Sequence, residues 1–355
     1  MALLPCGVYF ETYRQKKTYL HTGPQWACLI GFIILLLFLP HLVSLRFTGI
    51  INMMSIILIA VVGLQITIGY TGQINLGQSA FMGMGAFVAA SLANNLNWPF
   101  WITIPCGGLG GAFLGAIFAL PVSRIKGFYL ALTTLAAQIM FPLIIMHLPK
   151  KLFGGAFGMR LEPARFLGIT LDSDRSLYYF DIIIASIMIL FAFNLVRSRI
   201  GRAFMVIRDN DIAAEIIGIN IFFYKTLAFF IGAFYAGVAG ALWAYYIRYI
   251  GVDQFTLYFS IWYVGMLIVG GMGSVLGAIL GTVFIRTLQE SVTYLGPFLV
   301  QIFPQTGGPE IWFAGMNILL GAVIILFLIF EPRGLAHRWN IIKTSYRIWP
   351  FPYMK

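Results

Sequence analysis

Charged side chains are scarce in this 355-residue chain. They make up 10% of it, against about 25% in soluble domains, while 60% of its residues are apolar. Acids are scarcest, with twelve Asp and Glu against 23 Lys and Arg. So little charge cannot supply polar shells for the two cores that a soluble chain of this length would need, so lipid is the expected solvent. Cysteine is limited to Cys6, Cys28 and Cys106, odd in number and far apart. That excludes a disulfide framework and metal-ligand spacing, and leaves three thiols expected to be buried and unreactive. His21, His41, His147 and His337 are equally dispersed, so no metal site is expected. A Gly-Lys dipeptide is absent, and with it any Walker A phosphate loop. Neither a paired His and Glu cluster nor a nucleophile elbow occurs, so the chain is not expected to be an enzyme. The net charge of +11 forms no dense basic face, which argues for topology signals and against nucleic acid.

What the chain does have is long apolar runs. Windows of about 19 residues mark ten candidate helices: 27–44, 48–68, 77–94, 101–121, 128–148, 179–197, 225–247, 257–275, 276–296 and 311–330. The first follows Arg14, Lys16 and Lys17 like the start of a signal peptide. No small-residue cleavage site follows it, and it ends at Pro40 and His41, so it reads as a retained span. The run 77–94 and the pair 257–296, split only by Gly270-Gly271-Met272-Gly273, could instead hold half-helices, giving eight to ten spans. With the N-terminus inside, inner segments carry fifteen Lys and Arg and outer ones seven, as the positive-inside rule requires. The expected fold is an all-α polytopic helical bundle with both termini cytoplasmic. Residues 1–26 form an N-terminal extension, 27–335 the transmembrane domain and 336–355 a tail. An outer loop spans 149–178 and an inner loop 198–224.

Two polar stretches stand out. In the inner loop, Arg208-Asp209-Asn210-Asp211-Ile212-Ala213-Ala214-Glu215-Ile216-Ile217-Gly218 reads as a helix of two to three turns. Asp209 or Asp211 would cap its start and Gly218 would end it in the left-handed conformation. Ile212 with Ile216, and Ala213 with Ile217, stack into a small apolar face. That face could dock a cytoplasmic partner, or the helix could lie among headgroups as a rigid turn. The second stretch runs from Gly69 to Ser79, all uncharged. Gln73, Asn75, Gln78 and Ser79, with Gln65 one turn back, could hydrogen-bond a polar solute along a path at membrane depth, or the run could be a plain cytoplasmic turn. Small residues at every fourth position predict close helix packing: Gly107, Gly111 and Gly115; Gly232, Ala236 and Gly240; Gly273, Gly277 and Gly281. Glu290 lies inside a span four residues after Arg286, so the two can pair, and Asp181 sits at a span's outer edge. No unpaired acid suited to a proton relay is found.

The stretch Gly69 to Ala89, GYTGQINLGQSAFMGMGAFVA, resembles the signature of the branched-chain amino-acid permease family of bacterial ABC importers. So do Arg208 to Gly218, Tyr224-Lys225, Ala236 to Leu242, Val269 to Gly277, Phe128 to Leu135 and Gly154 to Gly158, in the same order from about residue 48 to 335. Asn75 stands where the family usually has Ser, and Gln78 where it has His. The resemblance implies a bacterial plasma-membrane subunit paired with a second permease subunit of the same family. Two cytoplasmic ATPases would hold the ATP and Mg, no cofactor being implied in this chain itself, and an extracytoplasmic binding protein would deliver solute. It makes Arg208, Asp209, Asp211, Ala214, Glu215 and Gly218 the segment that seats on the ATPase, and adds Thr133 and Thr134 to the substrate path. The outer loop would help receive the binding protein. Branched-chain amino acids are the implied cargo, related amino acids, amides and urea being carried by relatives. The alternative from a different class is a stand-alone secondary transporter or channel for a small neutral solute.

Overall fold

A computed structural model describes residues 23–122, 128–166, 169–171, 173–302 and 309–348. Most of the N-terminal extension, Cys6, the inner loop with Arg124 and Lys126, and the tail beyond residue 348 lie outside the described residues. The helices are α1 (Gly23–Leu42), α2 (Leu45–Leu64, continued by a π-helical turn Gln65–Tyr70), α3 (Gln78–Leu96), α4 (Phe100–Val122) and α5 (Phe128–His147). After a short α6 (Lys150–Phe153) come α7 (Asp174–Arg197), α8 (Arg199–Asp209), α9 (Asp211–Ile216), α10 (Ile221–Ile247) and α11 (Leu257–Gly270). The chain closes with α12 (Val275–Ile302), α13 (Pro309–Phe330) and α14 (Leu335–Ile348). Each of the ten predicted spans falls on one of these helices. Among the described residues, eight helical stretches are long and apolar enough to cross a bilayer. The protein is therefore a multi-pass helical membrane protein. α3 has the length, 19 residues, but Gly, Ser, Asn and Gln dilute its apolar character. It is one continuous helix, not two halves.

The loops sort into two ends, as an odd-and-even count of crossings requires. At one end Asn94 donates to the Arg160 carbonyl (2.8 Å), and strand β1 (Met159–Arg160) pairs antiparallel with β4 (Tyr249–Ile250). A second small hairpin, β2 (Ala164–Phe166) with β3 (Ile169–Leu171), lies in the same outer loop. At the other end Gly69, Arg208, Gly273 and Gly334 gather around the α11–α12 turn. These are the segments predicted to be inside.

α10 is the central helix, packed on α2, α3 and α4. Nine of its fifteen buried residues are Gly or Ala, which lets backbones touch where lipid gives side chains no hydrophobic reason to cluster. A Cβ on Gly240 would stand 1.8 Å from the Met82 carbonyl oxygen, and one on Gly85 2.3 Å from the Gly237 Cα. Gly107 and Gly111 meet the Gly85 carbonyl and the Gly237 Cα in the same layer, Gly115 meets Ala233, and Gly232 meets Thr67. In α12, Gly277 and Gly281 receive α11 at Gly270 and Met266. Gly273 is not part of that ridge. It precedes α12, in the turn, with φ +85°.

α1 is joined to the bundle through polar contacts. Pro40 has no N–H, so the carbonyl four residues back, Leu36, loses its helical donor. The Tyr178 hydroxyl from α7 donates to that oxygen at 2.9 Å, and Tyr179 donates to Leu37 at 3.2 Å. Two expectations are corrected here. Cys28 is exposed on α1 and Cys106 is half-buried, because apolar spans turn such residues toward lipid. α7 begins at Asp174, five residues early, so Asp181 lies about 10 Å along the helix, 2% exposed, with one carboxylate oxygen unpartnered. Arg286 and Glu290 pair as predicted, at 3.3 Å.

Candidate translocation and coupling site

The stretch from Thr71 to Gly77 leaves the inner end of α2 and enters the protein. Thr71, Gln73, Asn75 and Gly77 are buried while Gly72, which turns the chain at φ +69°, and Ile74 are exposed. Gln78, where α3 starts, fixes the depth reached. Its Nε2 donates to the carbonyls of Ala60 (2.8 Å) and Gly232 (3.3 Å). Ala60 is ten residues before the inner end of α2, and Gly232 eleven residues into α10. At 1.5 Å per residue both lie about 15 Å in, half of a core roughly 30 Å thick. The segment is thus not a surface turn but irregular backbone reaching mid-depth, with Gln73, Asn75 and Gly77 buried in protein.

A helix beginning there leaves its first N–H groups without intrahelical acceptors, and two other helices supply them. Thr134 Oγ1 and Gln138 Oε1 of α5 accept from Leu76 N (3.1 Å) and Ala80 N (2.9 Å), and Ser260 Oγ of α11 accepts from Ser79 N (2.9 Å). Asn75 Oδ1 accepts from Gly77 N (2.9 Å), and its Nδ2 donates to Gln78 Oε1 (3.0 Å). Gln138 also donates to the Phe255 carbonyl at 2.7 Å. Within this cluster three buried oxygens have no partner: Gln65 Oε1, Gln73 Oε1 and Ser79 Oγ. Thr133 stands apart, half-exposed and bonded to its own helix at Tyr129. Gln138 and Ser260 escaped sequence reading, since each is a lone polar residue in an apolar helix.

The inner loop is two helices where one was predicted. Ser198 caps α8 by accepting from Ile200 N and Gly201 N, and Phe204 and Ile207 bury its inner face. Asn210, extended at φ −161°, then breaks the chain direction. Its Oδ1 accepts from Ala213 N at 3.1 Å, so Asn210 caps α9, and neither Asp209 nor Asp211 does. Asp209 ends α8 and pairs with Arg208 at 2.9 Å, while Asp211 pairs with Lys225 at 3.8 Å. α9 closes with Gly218 N on the Glu215 carbonyl and Ile219 N on that of Ala214, the Schellman pattern, with Gly218 at φ +84°. Ala214 is buried, Glu215 is exposed, and Ile212, Ile216 and Ile217 are exposed apolar residues, Ile216 at 81%.

Arg208 ties these parts together. Its Nη1 donates to the Gly69 carbonyl at 3.0 Å, within the π-helical turn. Gly273 and Gly72 leave space for the same side chain. From that turn Tyr70 accepts from Val275 N (3.2 Å), and Gln65 reaches the Gly271 carbonyl at a long 3.5 Å. Three sequence-distant motifs, 65–79, 208–218 and 269–277, therefore form one connected structure running from the inner surface to mid-depth.

Residues 46–328 match the protein family described as branched-chain amino acid transport system, permease component. The chain is similar to the high-affinity branched-chain amino acid transport system permease protein LivM of Salmonella typhimurium, 27% identical over 337 residues, which cover 88% of this chain and 75% of that protein. It is similar to the LivM protein of Escherichia coli to the same extent. No solved structure matches it.

Proposed function

The chain belongs to the branched-chain amino acid transport permease family, and from that premise we propose that it is the membrane-spanning subunit of an ATP-driven importer in a bacterial plasma membrane. It passes branched-chain or related amino acids inward, receiving them from an extracytoplasmic binding protein on the face that carries the outer loop. It pairs with a second permease subunit of its family, and of the two ATPases in the assembly, which carry the ATP and Mg, one seats on its α8 and α9. The observation that carries this reading is the single hydrogen-bonded route from α8 through Arg208 to the mid-depth segment Thr71–Gln78. The exposed apolar face of α9, Ile212, Ile216 and Ile217, supports docking of a soluble subunit. Between the inner turn and mid-depth the available groups are uncharged oxygens of Gln65, Gln73 and Ser79. They suit a solute that must pass without being held, tight binding being left to the delivery protein.

The test is uptake of labelled leucine, isoleucine and valine into proteoliposomes holding the whole complex, with binding protein and ATP. Gly218→Pro is expected to abolish uptake while the protein stays in the membrane, since proline cannot take φ +84° and lacks the N–H that closes α9. Glu215→Arg reverses an exposed charge on the same face and is expected to do the same. Normal uptake by both variants, or uptake by the chain without ATPases, overturns the proposal.

A further inference from the structure

Helix α14 plays no part in the route just described, yet its surface has a definite character. Four residues, 331–334, separate it from α13, in a turn where Gly334 N donates to Glu331 O (2.8 Å) and Gly334 takes φ +72°. Its first turn rests on the α11–α12 turn, where a Cβ on Gly334 would meet the Gly271 backbone at 2.5 Å, and Ala336 is buried there. Beyond that contact the helix presents Trp339, Ile342 and Tyr346, which are 50%, 60% and 53% exposed. Spacings of three and four residues put them on one stripe. At about 100° per residue, Arg338 and Lys343 fall roughly 70° to either side of it.

This is the pattern of a helix lying in a membrane surface: aromatic and aliphatic residues at the acyl boundary, and cations on both shoulders reaching up to headgroups. Trp and Tyr favour that level because each combines a large apolar ring with one polar atom. The charge has one sign. Residues 335–348 contain Arg338, Lys343 and Arg347 and no acid. Glu331 of the preceding turn takes one of the five N–H donors of Arg338, at 2.5 Å, and the Arg338 side chain remains 65% exposed.

We propose that α14 lies in the headgroup layer next to the exit of α13 and binds anionic phospholipid there, with Trp339, Ile342 and Tyr346 inserted and Arg338 and Lys343 on phosphate. Basic residues near such a surface are each attracted to it, so binding grows with the fraction of anionic lipid. Because α14 sits directly on Gly271, whose carbonyl faces Gln65, lipid would bear on the turn at the heart of the proposed coupling route.

The experiment follows Trp339 emission as the difference between the full chain and its Trp339→Phe variant, in vesicles of phosphatidylcholine with increasing phosphatidylglycerol, brominated near the top of the acyl chains. Quenching at least twofold is expected, stronger with phosphatidylglycerol than without. Arg338→Gln with Lys343→Gln is expected to remove the dependence on phosphatidylglycerol while leaving the thermal midpoint unchanged. Absence of quenching overturns the proposal. So does quenching that ignores lipid charge, and so does shielding of Trp339 that appears only when ATPase subunits are added. The readout involves no transport and either leaflet reports it, so it can fail while uptake succeeds, or the reverse.

Discussion

Gly240 gives the sharpest test of the packing that holds the mid-depth segment in place. An added Cβ would stand 1.8 Å from the Met82 carbonyl oxygen, 2.7 Å from its carbon and 3.0 Å from Ala86 N, all backbone of α3. Ordinary contact begins at 3.4 Å, so α3 and α10 would have to separate by about 1.6 Å. A gap of even 0.5–1 Å forfeits roughly a quarter to a half of the dispersion attraction across it, and overpacking typically costs about 1–3 kcal/mol. Against this, Gly→Ala inside a helix gains up to about 1 kcal/mol of helix propensity. With that gain realised, Gly240→Ala should lose up to about 2 kcal/mol net. Gly321→Ala, where nothing lies within 4 Å, should be neutral or gain about 1 kcal/mol. The assay is unfolding of each purified variant by titrating dodecyl sulfate into micelles, followed by circular dichroism. If Gly240→Ala proves as stable as Gly321→Ala, the close approach of α3 and α10 is wrong.

Gln78→Leu removes the donor to Ala60 and Gly232 and strands Asn75 Nδ2. It should cost about 1–3 kcal/mol of stability and lower uptake in proteoliposomes. Asn210→Ala removes the cap of α9, a loss of about 1 kcal/mol. ATP hydrolysis by the assembled complex should then respond less to the loaded binding protein, while overall folding, read by circular dichroism, is retained. Tyr178→Phe deletes the hydroxyl on the Leu36 carbonyl and should lower the thermal midpoint measurably, by about 1 kcal/mol of stability. Tyr179→Phe, at the more exposed contact, should do less.

Most helices were legible because their spans are nearly unbroken apolar runs of about 20 residues, while the polar residues of α3 keep it out of the eight clearly apolar stretches among the described residues. Small-residue spacing marked Gly107, Gly111, Gly232 and Gly240, but their partners Gly63, Gly85 and Gly237 were not marked, because contact across helices has no periodicity along one chain. The polar run 69–79 was visible as a break in apolarity, yet its depth was not. Depth came from Gln78 meeting Ala60 and Gly232, which are 18 and 154 residues away in the chain. The caps that Gln138 and Ser260 provide are equally nonlocal. At the inner loop, three consecutive candidates, Asp209, Asn210 and Asp211, all suit an N-cap. Only the break at Asn210 decides among them. The placement of Asp181 failed for a plainer reason: α7 starts within polar residues, Asp174-Arg175-Ser176, that a hydropathy window reads as loop.

The joint between Pro40 and Tyr178 sets something that apolar surface cannot. Much of α1 presents Leu, Ile and Phe outward, and to such side chains neighbouring helices and lipid tails are nearly the same medium. A smooth apolar rod in oil has no preferred height and can slide along its neighbours with little resistance. A carbonyl freed at one level, met by a hydroxyl at that level, gives the rod a notch. Moving α1 by a single turn, about 5.4 Å, would carry the Leu36 oxygen out of reach of Tyr178, so the outermost helix keeps one elevation in the membrane while the rest of its surface stays free to exchange lipid.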